Sequence, residues 1–331
     1  MRSIRSFLQE IKERGYKAED LARYSFKGLG QTQKAELEKK GIDCYSGKVR
    51  EVLGITKDKL FIVHTDRLSA FDKHIAHIPF KGRILCEFSR FWLEKSREVL
   101  PTHLIREYDE RTLETERLRP FKAEVVVRGY MAGSMARAYA AGRREFCGQT
   151  LPEGLKQYCK LKDPIITPTT KAAVFEHDEE VAPKELIKRG VCTEKEWSAI
   201  AEYALALFAL GQKIYESKNW LLVDTKYEFG FTDKGEIKLI DELHTPDSSR
   251  FWVKDSYARR LAAGDVPEMF DKEIVRRYLI DKGFSGEGPI PQVEGGILID
   301  LCEAYLDVAE DIVGKEIMAT GAYNCIIGSV T

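Results

Sequence analysis

Two neighbouring acidic segments constrain this sequence more than any other feature. Residues 224–230 read Asp-Thr-Lys-Tyr-Glu-Phe-Gly, and residues 241–250 read Asp-Glu-Leu-His-Thr-Pro-Asp-Ser-Ser-Arg. Asp224, Lys226 and Glu228 recur at period two, so a β-strand would turn all three side chains to one face. A Gly-containing turn between the segments favours a β-hairpin. The pattern therefore predicts an acidic hairpin whose two ends converge.

Clustered carboxylates repel one another, and a bound Mg²⁺ ion is a common reason for a protein to keep them together. Lys226 and Arg250 stand beside these acids and supply the cations that a phosphate-bearing substrate requires. The alternative is a salt-bridged surface hairpin. Because Pro246, Asp247 and Arg250 share one turn with both segments, we interpret the hairpin as a functional site.

Length and composition exclude several classes of protein. The 331 residues suit two lobes around a cleft, and a net charge of −1 offers neither the basic face that binds nucleic acid nor an acidic tail. The seven cysteines are scattered, odd in number and without a Cys-x-x-Cys pair, which predicts reduced thiols. No apolar run is long enough to cross a bilayer. We therefore expect a soluble cytoplasmic protein that binds neither nucleic acid nor membrane.

The hydrophobic pattern predicts a mixed α/β protein. Helices are expected at 3–14, from a Thr193 cap to 214, at 271–282 and at 300–319. Strands are expected at 60–64 and 123–128, and the Gly- and Pro-rich residues 283–296 are a candidate lid. Along the chain, the predicted strands come first, the acidic hairpin later and the helices last. We interpret this order as that of a protein with a nucleotide bound between two lobes.

Residues 47–50, Gly-Lys-Val-Arg, are a candidate phosphate site in the first lobe. A glycine lets backbone N–H groups approach phosphate, and Lys48 and Arg50, two apart on a strand, would place two cations on one side. The chain lacks a Walker A loop and a Gly-x-Gly-x-x-Gly turn in this place. Taken alone, the segment fits a solvated strand edge equally well.

Four further segments are dense in small polar and charged residues, and they lie at 65–72, 78–83, 128–134 and 164–171. The first follows a buried strand, where ligand-binding loops often occur, and the third closes a strand with an arginine, two glycines and a hydroxyl. For each segment the alternative is structural, since arginines pair with nearby acids and prolines and glycines shape turns.

Together, these segments resemble the SAICAR synthetase (phosphoribosylaminoimidazole-succinocarboxamide synthase) family, in its longer-chain branch. The matching motifs occur in order at 47–50, 66–72, 127–134, 147–155, 168–171, 177–179, 224–230 and 241–250. The resemblance is dense from Tyr45 to Trp252 and loose in the C-terminal helices. It does not extend to the residues before Tyr45, so it assigns them no role.

The resemblance implies an ATP-dependent ligase of purine biosynthesis. Such an enzyme joins L-aspartate to the carboxylate of carboxyaminoimidazole ribonucleotide (CAIR), forming SAICAR while ATP becomes ADP and phosphate. Because a carboxylate is a poor electrophile, ATP first converts it to an acyl phosphate, which the aspartate amine attacks. The implied fold is related to ATP-grasp: an N-terminal helical extension at 1–44, a smaller ATP-binding lobe at 45–125 and a larger lobe at 126–331 with the metal and substrate site.

Carried onto this chain, the family's motifs imply specific roles. Mg²⁺ is expected on Glu228 and Asp241, and catalysis is expected from Lys226, Asp224 and Asp247. ATP is expected at Gly47, Lys48, Arg50, Glu124, Val125 and Lys226. CAIR and aspartate are expected at Asp66, Arg67, Ser69, Asp72, Lys81, Arg128, Ser134, Lys171 and Arg250.

Two other classes of function remain open at this level. A small-molecule kinase also needs a Gly-Lys segment followed by Mg²⁺ carboxylates, and a nucleotide-binding regulator that has lost catalysis would keep much of the same pattern. A silent regulator is expected to lack a metal or phosphate ligand, and every such motif position is occupied here. The expected partners are the small molecules CAIR, L-aspartate and ATP, and the expected assembly is a monomer or a small homo-oligomer.

Overall fold

The computed structural model describes residues 1–170 and 179–321. They form two compact units. Unit 1 comprises Met1–Phe91, Leu104–Arg117 and the chain from Phe270 onward, and unit 2 comprises Trp92–His103 and Leu118–Met269. The lobe boundaries expected from the sequence remain a prediction, because those lobes were defined by what they bind.

The helices of the described residues, in chain order, are α1 (Ile4–Glu13), α2 (Ala18–Arg23), α3 (Gln31–Lys39), α4 (Lys81–Lys95), α5 (Gly133–Ala140), α6 (Pro183–Lys188), α7 (Glu194–Glu216), α8 (Lys254–Ala263), α9 (Glu273–Asp281) and α10 (Gly295–Val313), with one short 3₁₀ helix at Ser96–Glu98. In this part of the chain, no helix is both long and apolar enough to span a membrane.

The strands are β1 (Arg2–Ser3), β2 (Asp43–Ser46), β3 (Arg50–Gly54), β4 (Lys59–His64), β5 (Arg67–Ala70), β6 (Lys73–His77), β7 (Leu104–Asp109), β8 (Thr112–Glu116), β9 (Arg119–Pro120), β10 (Ala123–Tyr130), β11 (Glu145–Phe146), β12 (Gln149–Thr150), β13 (Lys160–Thr170), β14 (Trp220–Phe231), β15 (Ile237–Ile240), β16 (Ser249–Val253) and β17 (Met318–Ala319). This mixture of helices and strands confirms the predicted fold class.

Unit 1 is built on an antiparallel sheet in the order β2-β3-β4-β8-β7. The strand predicted at 60–64 is confirmed as β4, and its inner face packs Phe61 and Val63 against Leu37 of α3. β2 and β3 form a hairpin in which the backbone N–H of Gly47 donates to the carbonyl of Arg50 at 2.8 Å. Lys48 therefore lies in a turn, and the prediction that it shares a strand face with Arg50 was wrong.

The first predicted helix is confirmed as α1. Its apolar stripe is fully or almost fully buried, and Ser3 caps its start by accepting a hydrogen bond from the backbone of Ser6 at 3.3 Å. Gly15 follows the helix with φ of 76°, the left-handed conformation that ends helices. On its outer side, Arg5 forms ion pairs with Asp307 at 2.8 Å and Glu310 at 2.7 Å, which join α1 to α10.

The predicted C-terminal helices exist but with different bounds. The helix expected at 271–282 is α9, and the helix expected at 300–319 is α10, which begins at Gly295 and ends at Val313. Gly314 terminates α10 with φ of 77°, and the chain then forms β17, which pairs with β1. The predicted helix therefore continued too far, because the apolar residues after Gly314 belong to a strand.

Unit 2 contains the sheet that carries the predicted acidic site. β14 lies at its centre, antiparallel to β10, β15 and β16, while β13 pairs with β10. The predicted strand at 123–128 is confirmed as β10, and β14 and β15 form the predicted hairpin. The long helix predicted after Thr193 is confirmed as α7, and Thr193 and Glu196 exchange the expected capping hydrogen bonds.

Candidate active site

One lysine in unit 2 is surrounded by three carboxylates. The ammonium nitrogen of Lys226 lies 2.6 Å from Glu228 Oε1, 3.0 Å from Glu124 Oε1 and 3.6 Å from Asp241 Oδ2. We refer to these four residues as the Lys226 cluster. Its side chains are between a tenth and a quarter exposed, so water screens their charges only partly.

Strand register places the four side chains together. Lys226 and Glu228 alternate on β14 and so share a face. Asp241 directly follows Ile240, the residue opposite Glu228 in the β14–β15 pairing. Glu124 enters from β10, one step beyond the Val125–Tyr227 pair. Asp241 has φ of 64°, a conformation that non-glycine residues adopt rarely and often at functional positions.

The neighbouring carboxylates determine the protonation state of Lys226. Desolvation opposes the positive charge of Lys226, but Glu228, Asp241 and Glu124 more than offset it, so the pKa of Lys226 lies well above its ordinary value. Lys226 is therefore protonated at neutral pH and is a cation, not a base. The three carboxylates beside it are hard oxygen donors, the type of ligand that a divalent cation takes.

The donor set of the cluster fits Mg²⁺. Within residues 1–170 and 179–321 no group of three or more His, Cys, Asp or Glu side chains is arranged to hold a metal ion by itself. Mg²⁺ does not need such a cage, since it usually keeps several waters and takes one or two protein carboxylates together with substrate phosphates. Glu228 and Asp241 offer that pair of hard oxygen ligands beside one cation.

A second charged group in unit 2 is built from two arginines. Asp224 Oδ2 accepts a hydrogen bond from Arg250 at 2.6 Å and lies 3.7 Å from Arg128. Arg128 also donates from Nε to Thr167 Oγ1 at 2.8 Å. The pKa of Arg128 is lowered, because the effect of burial exceeds the opposite effect of the Asp224 carboxylate. An arginine nevertheless remains protonated throughout the physiological range. Two guanidinium groups therefore lie around one carboxylate, and guanidinium groups are suited to binding anions.

Gly133 gives the Arg250 guanidinium its space. It begins α5 with φ of 58°, and a Cβ on it would lie 2.6 Å from an Arg250 nitrogen. Ser134 follows in the first turn of α5 and is exposed. Of the predicted group Arg128, Ser134 and Arg250, the two arginines come together at Asp224. That the three residues bind CAIR stays a prediction.

The segment between β15 and β16 is held by buried polar contacts. His244 accepts or donates a 2.6 Å hydrogen bond with the hydroxyl of Tyr227, and burial lowers the pKa of His244 to about 3. His244 is therefore neutral at physiological pH. Thr245 donates to Glu242 at 2.6 Å, and the carbonyl of Ser248 accepts from the backbone of Lys226 at 3.1 Å. These contacts fix the turn that carries Asp247.

Unit 1 contains a separate pocket of about 380 Å³ at the Gly47 turn. Its walls include Gly47, Lys48, Ser69 and Asp72. Lys48 donates to Asp72 at 2.6 Å, and both side chains are more than half exposed. The pocket thus combines a glycine turn, a lysine and a hydroxyl, groups that suit an anionic ligand.

Two predicted substrate residues lie deeper in unit 1. Asp66 is fully buried and accepts from the backbone of Phe26 and of Gly82, each at 2.6 Å, and from Arg111 at 2.7 Å. Lys81 is likewise fully buried, at the start of α4. These positions suit residues that hold the fold, and their predicted substrate contacts stay predictions.

The remaining predicted residues are distributed as follows. Arg50 begins β3 and is partly buried, and Arg67 is 13% exposed beside the Gly47 turn. Val125 is fully buried in β10, whereas the carboxylate of its neighbour Glu124 joins the Lys226 cluster. Lys171 lies outside the described residues.

Sequence reasoning missed two contributors to these sites. Glu124 was expected to bind ATP but not to join the acidic hairpin, and its place in the Lys226 cluster depends on the β10–β14 pairing. Thr167, which holds Arg128, depends similarly on the β10–β13 pairing. Each contact joins residues far apart in the chain, so no local pattern signals it.

Comparison with known proteins gives a consistent result. The family model described as SAICAR synthetase matches residues 43–290. A phosphoribosylaminoimidazole-succinocarboxamide synthase from Cytophaga hutchinsonii is 43% identical over 274 residues, which cover 82% of this chain and 87% of the relative.

Solved structures agree with the sequence comparison. A SAICAR synthase from Saccharomyces cerevisiae complexed with SAICAR superposes with a TM-score of 0.73 at 28% identity, covering 83% of this chain and 96% of that one. A SAICAR synthetase in complex with ADP superposes with a TM-score of 0.65 at 27% identity, covering 84% of this chain and 100% of that one.

Proposed function

This chain belongs to the SAICAR synthetase family, and from that premise we propose which of its residues carry the reaction. The enzyme is an ATP-dependent ligase that joins L-aspartate to the carboxylate of CAIR and forms SAICAR, ADP and phosphate. The observation that most supports our assignment is the convergence of Glu124, Glu228 and Asp241 on Lys226.

The Lys226 cluster suits the phosphoryl transfer. A CAIR carboxylate oxygen attacks the γ-phosphorus of ATP, ADP leaves, and an acyl phosphate results. The amine of L-aspartate then attacks the activated carbonyl carbon, phosphate leaves, and the amide bond forms. Negative charge gathers on the transferred phosphoryl group, and a fixed ammonium stabilises it more effectively than water does. We assign that role to Lys226, which its carboxylate neighbours keep protonated.

Glu228 and Asp241 would hold Mg²⁺, which when bound supplies positive charge to the phosphate oxygens of ATP. Both are largely buried oxygen donors, and both lie within 3.6 Å of the Lys226 ammonium. Glu124 contributes charge and orients Lys226 from β10.

The two arginines near Asp224 would bind the anionic groups of CAIR. Arginine presents a planar fork that fits phosphate or carboxylate in a bidentate way. Asp224 fixes the Arg250 guanidinium through a 2.6 Å hydrogen bond, and Gly133 leaves room for it. Ser134 and Asp247 complete the proposed CAIR site. Asp66, Lys81 and Lys171 stay as predicted contacts for CAIR or aspartate. Arg67, Ser69 and Asp72 were predicted with them, but they line the pocket at the Gly47 turn, to which we assign ATP.

Release of ADP tests the reaction class directly. ADP should appear only when ATP, Mg²⁺, CAIR and L-aspartate are all supplied, and SAICAR should form in equal amount. A small-molecule kinase would release ADP without L-aspartate, and a silent regulator would bind nucleotide without releasing any. Either result would contradict the ligase assignment.

The pocket at the Gly47 turn would bind the phosphates of ATP, and Lys48 provides a test. We expect Lys48→Ala to weaken ATP binding by about 2–3 kcal/mol, the range of a hydrogen bond to a charged group. Its ion pair with Asp72 is exposed, so stability should hardly change. The measurement is the KM for ATP and for CAIR in the wild type and the variant.

Lys57→Ala is the matched control for Lys48→Ala. Lys57 is an exposed lysine of unit 1 whose side chain lies 3.9 Å from an exposed aspartate, Asp58. It should leave both KM values unchanged. If Lys48→Ala raised only the KM for CAIR, the two substrate sites would have been exchanged in our assignment.

Arg250 tests the CAIR site. Arg250→Lys keeps the charge but loses the bidentate fork, so we expect weaker CAIR binding. A ligand that binds only the native state raises its melting temperature, and the increase depends on affinity. The increase that CAIR produces should therefore shrink in Arg250→Lys and in Arg128→Ala, as measured by thermal unfolding with and without CAIR.

Arg260→Lys serves as the control in the same unit, because Arg260, on α8, pairs with Glu268 at 3.5 Å and not with Asp224. It should keep the full CAIR-dependent shift. Equal shifts in the wild type, Arg250→Lys and Arg128→Ala would mean that both arginines are structural ion-pair partners of Asp224.

A further inference from the structure

The pocket at the Gly47 turn has a wall that the family match does not include. That match begins at residue 43, yet Leu29 and Lys34 line the pocket together with Gly47 and Lys48. Leu29 precedes α3 and Lys34 lies within it. Residues before the family region therefore form part of the cavity to which we assign the nucleotide.

Arg67 connects residues 27–34, the N-terminal segment, to the Gly47 turn, which joins β2 to β3. Its five N–H groups make five hydrogen bonds, all at 2.5–3.2 Å, to the carbonyls of Lys27, Gly47, Lys48 and Arg50 and to the carboxylate of Glu51. Three of these carbonyls belong to the turn, and one belongs to the segment. A single side chain thus joins the N-terminal segment to the Gly47 turn.

Gly28 shows how closely the segment packs on this contact. A Cβ at Gly28 would lie 2.2 Å from Arg67 Nη1 and 2.4 Å from Glu51 Oε1, and the φ of 105° at Gly28 also disfavours a side chain. Any larger residue would have to displace the guanidinium or the carboxylate. Position 28 therefore requires glycine for two reasons: the side chains of Arg67 and Glu51 leave no space for a Cβ, and the backbone conformation at this position disfavours one.

Lys34 brings a second cation to the pocket. Its ammonium contacts the Ser46 hydroxyl and lies 3.6 Å from Glu51 Oε2, with 27% of the side chain exposed. Glu51 is buried and already accepts hydrogen bonds from Arg67 and Ser46. One carboxylate therefore faces two cations, and the Lys34 ammonium is the one that remains partly exposed in the lining of the pocket.

We propose that residues 28–34 are a working part of the nucleotide site: Gly28 and Arg67 hold the Gly47 turn in shape, and Lys34 binds the phosphates of ATP together with Lys48. The proposal rests on the assignment of ATP to this pocket. A polyphosphate carries several negative charges, and lysine is a common point-charge ligand for it. The N-terminal extension thereby gains a role in substrate binding.

Lys34→Met tests the cation. The substitution keeps an unbranched side chain of similar length and removes the charge, so we expect the Kd for ATP to rise about tenfold while the KM for CAIR stays constant. Lys34→Arg should restore most of the affinity. Lys39→Met is the matched control, since Lys39 ends the same helix, is exposed and does not line the pocket.

Gly28→Ala tests the packing. We expect it to raise the Kd for ATP at least tenfold, because the new methyl group displaces Arg67 from the turn. Gly41→Ala is its control: Gly41 has φ of 80°, so alanine is strained there too, but no atom lies within 4 Å of its Cβ position. Gly41→Ala should leave ATP binding unchanged. Lys34→Met decides the proposal if Gly28→Ala does not fold.

The outcomes separate this proposal from the assigned function. ATP binding as tight in Lys34→Met as in Lys39→Met would overturn the role of Lys34. An equal rise in the Kd for ATP and the KM for CAIR would indicate general damage and also overturn it. In both cases turnover by the wild type would leave the ligase function intact. A wild-type protein without ATP-dependent turnover would refute the function itself.

Discussion

Glu228→Gln and Asp241→Asn are each expected to abolish ligase turnover while the protein remains folded. Both substitutions keep the size of the side chain and remove a negative charge, which weakens binding of a hard divalent cation. Asparagine tolerates positive φ well, so Asp241→Asn should not strain the backbone at φ of 64°. The measurements are ADP release at saturating substrates and the thermal unfolding temperature.

The fold should survive because each variant leaves two carboxylates beside Lys226. Glu236→Gln and Asp233→Asn are suitable controls, since both residues are exposed at the turn of the same hairpin. They should retain full activity. Raising the Mg²⁺ concentration should partly restore the two cluster variants, and normal turnover in either variant at ordinary Mg²⁺ would refute the metal assignment.

The hairpin was predictable because its signals are local. The alternation of Lys226 and Glu228 and the turn before β15 lie within a short stretch of chain, and period two fixes which side chains share a face. The capping box at Thr193 and the apolar stripe of α1 are local in the same sense. Fold class and the centre of the candidate site followed from such patterns.

Pairing between distant strands was not predictable from the same patterns. Glu124 reaches Lys226 only because β10 lies beside β14, and nothing near Glu124 in the sequence specifies that neighbour. The strand prediction for Lys48 failed for a different reason. Gly47 starts a tight connection between β2 and β3, so the residues that look like the start of a strand form its turn.

Motif matching identifies which residues matter but does not distinguish contact with a ligand from support of the fold. Asp66 and Asp72 belong to one motif at 66–72, yet Asp66 is fully buried and Asp72 is 61% exposed. Arg67 lies between them and uses its guanidinium on the Gly47 turn. Burial and hydrogen-bond partners, which depend on the whole of unit 1, separate these roles.

Asp66→Asn is therefore expected to lower the free energy of unfolding by about 3–5 kcal/mol, the usual cost of removing one partner from a buried ion pair. Its partner Arg111 is only 2% exposed, and an Arg111 nitrogen lies 2.7 Å from the Asp66 carboxylate. Gly82 makes room for that guanidinium, since a Cβ at Gly82 would lie 2.6 Å from an Arg111 nitrogen. The variant leaves the arginine charge buried without its carboxylate, and the backbone of Gly82 loses a charged acceptor. Urea unfolding of the wild type and the variant measures the difference.

Asp72→Asn provides the comparison within the same motif. Its ion pair with Lys48 is exposed on both sides, so the urea midpoint should hardly move. Arg111→Met should destabilise unit 1 to a similar extent as Asp66→Asn, and the double variant should cost less than the sum of the two, because a pair in direct contact is not additive. Should Asp66→Asn unfold at the wild-type urea concentration and instead raise the KM for CAIR or aspartate, Asp66 would act on substrate as its motif implies, and the buried ion pair would contribute little to the fold.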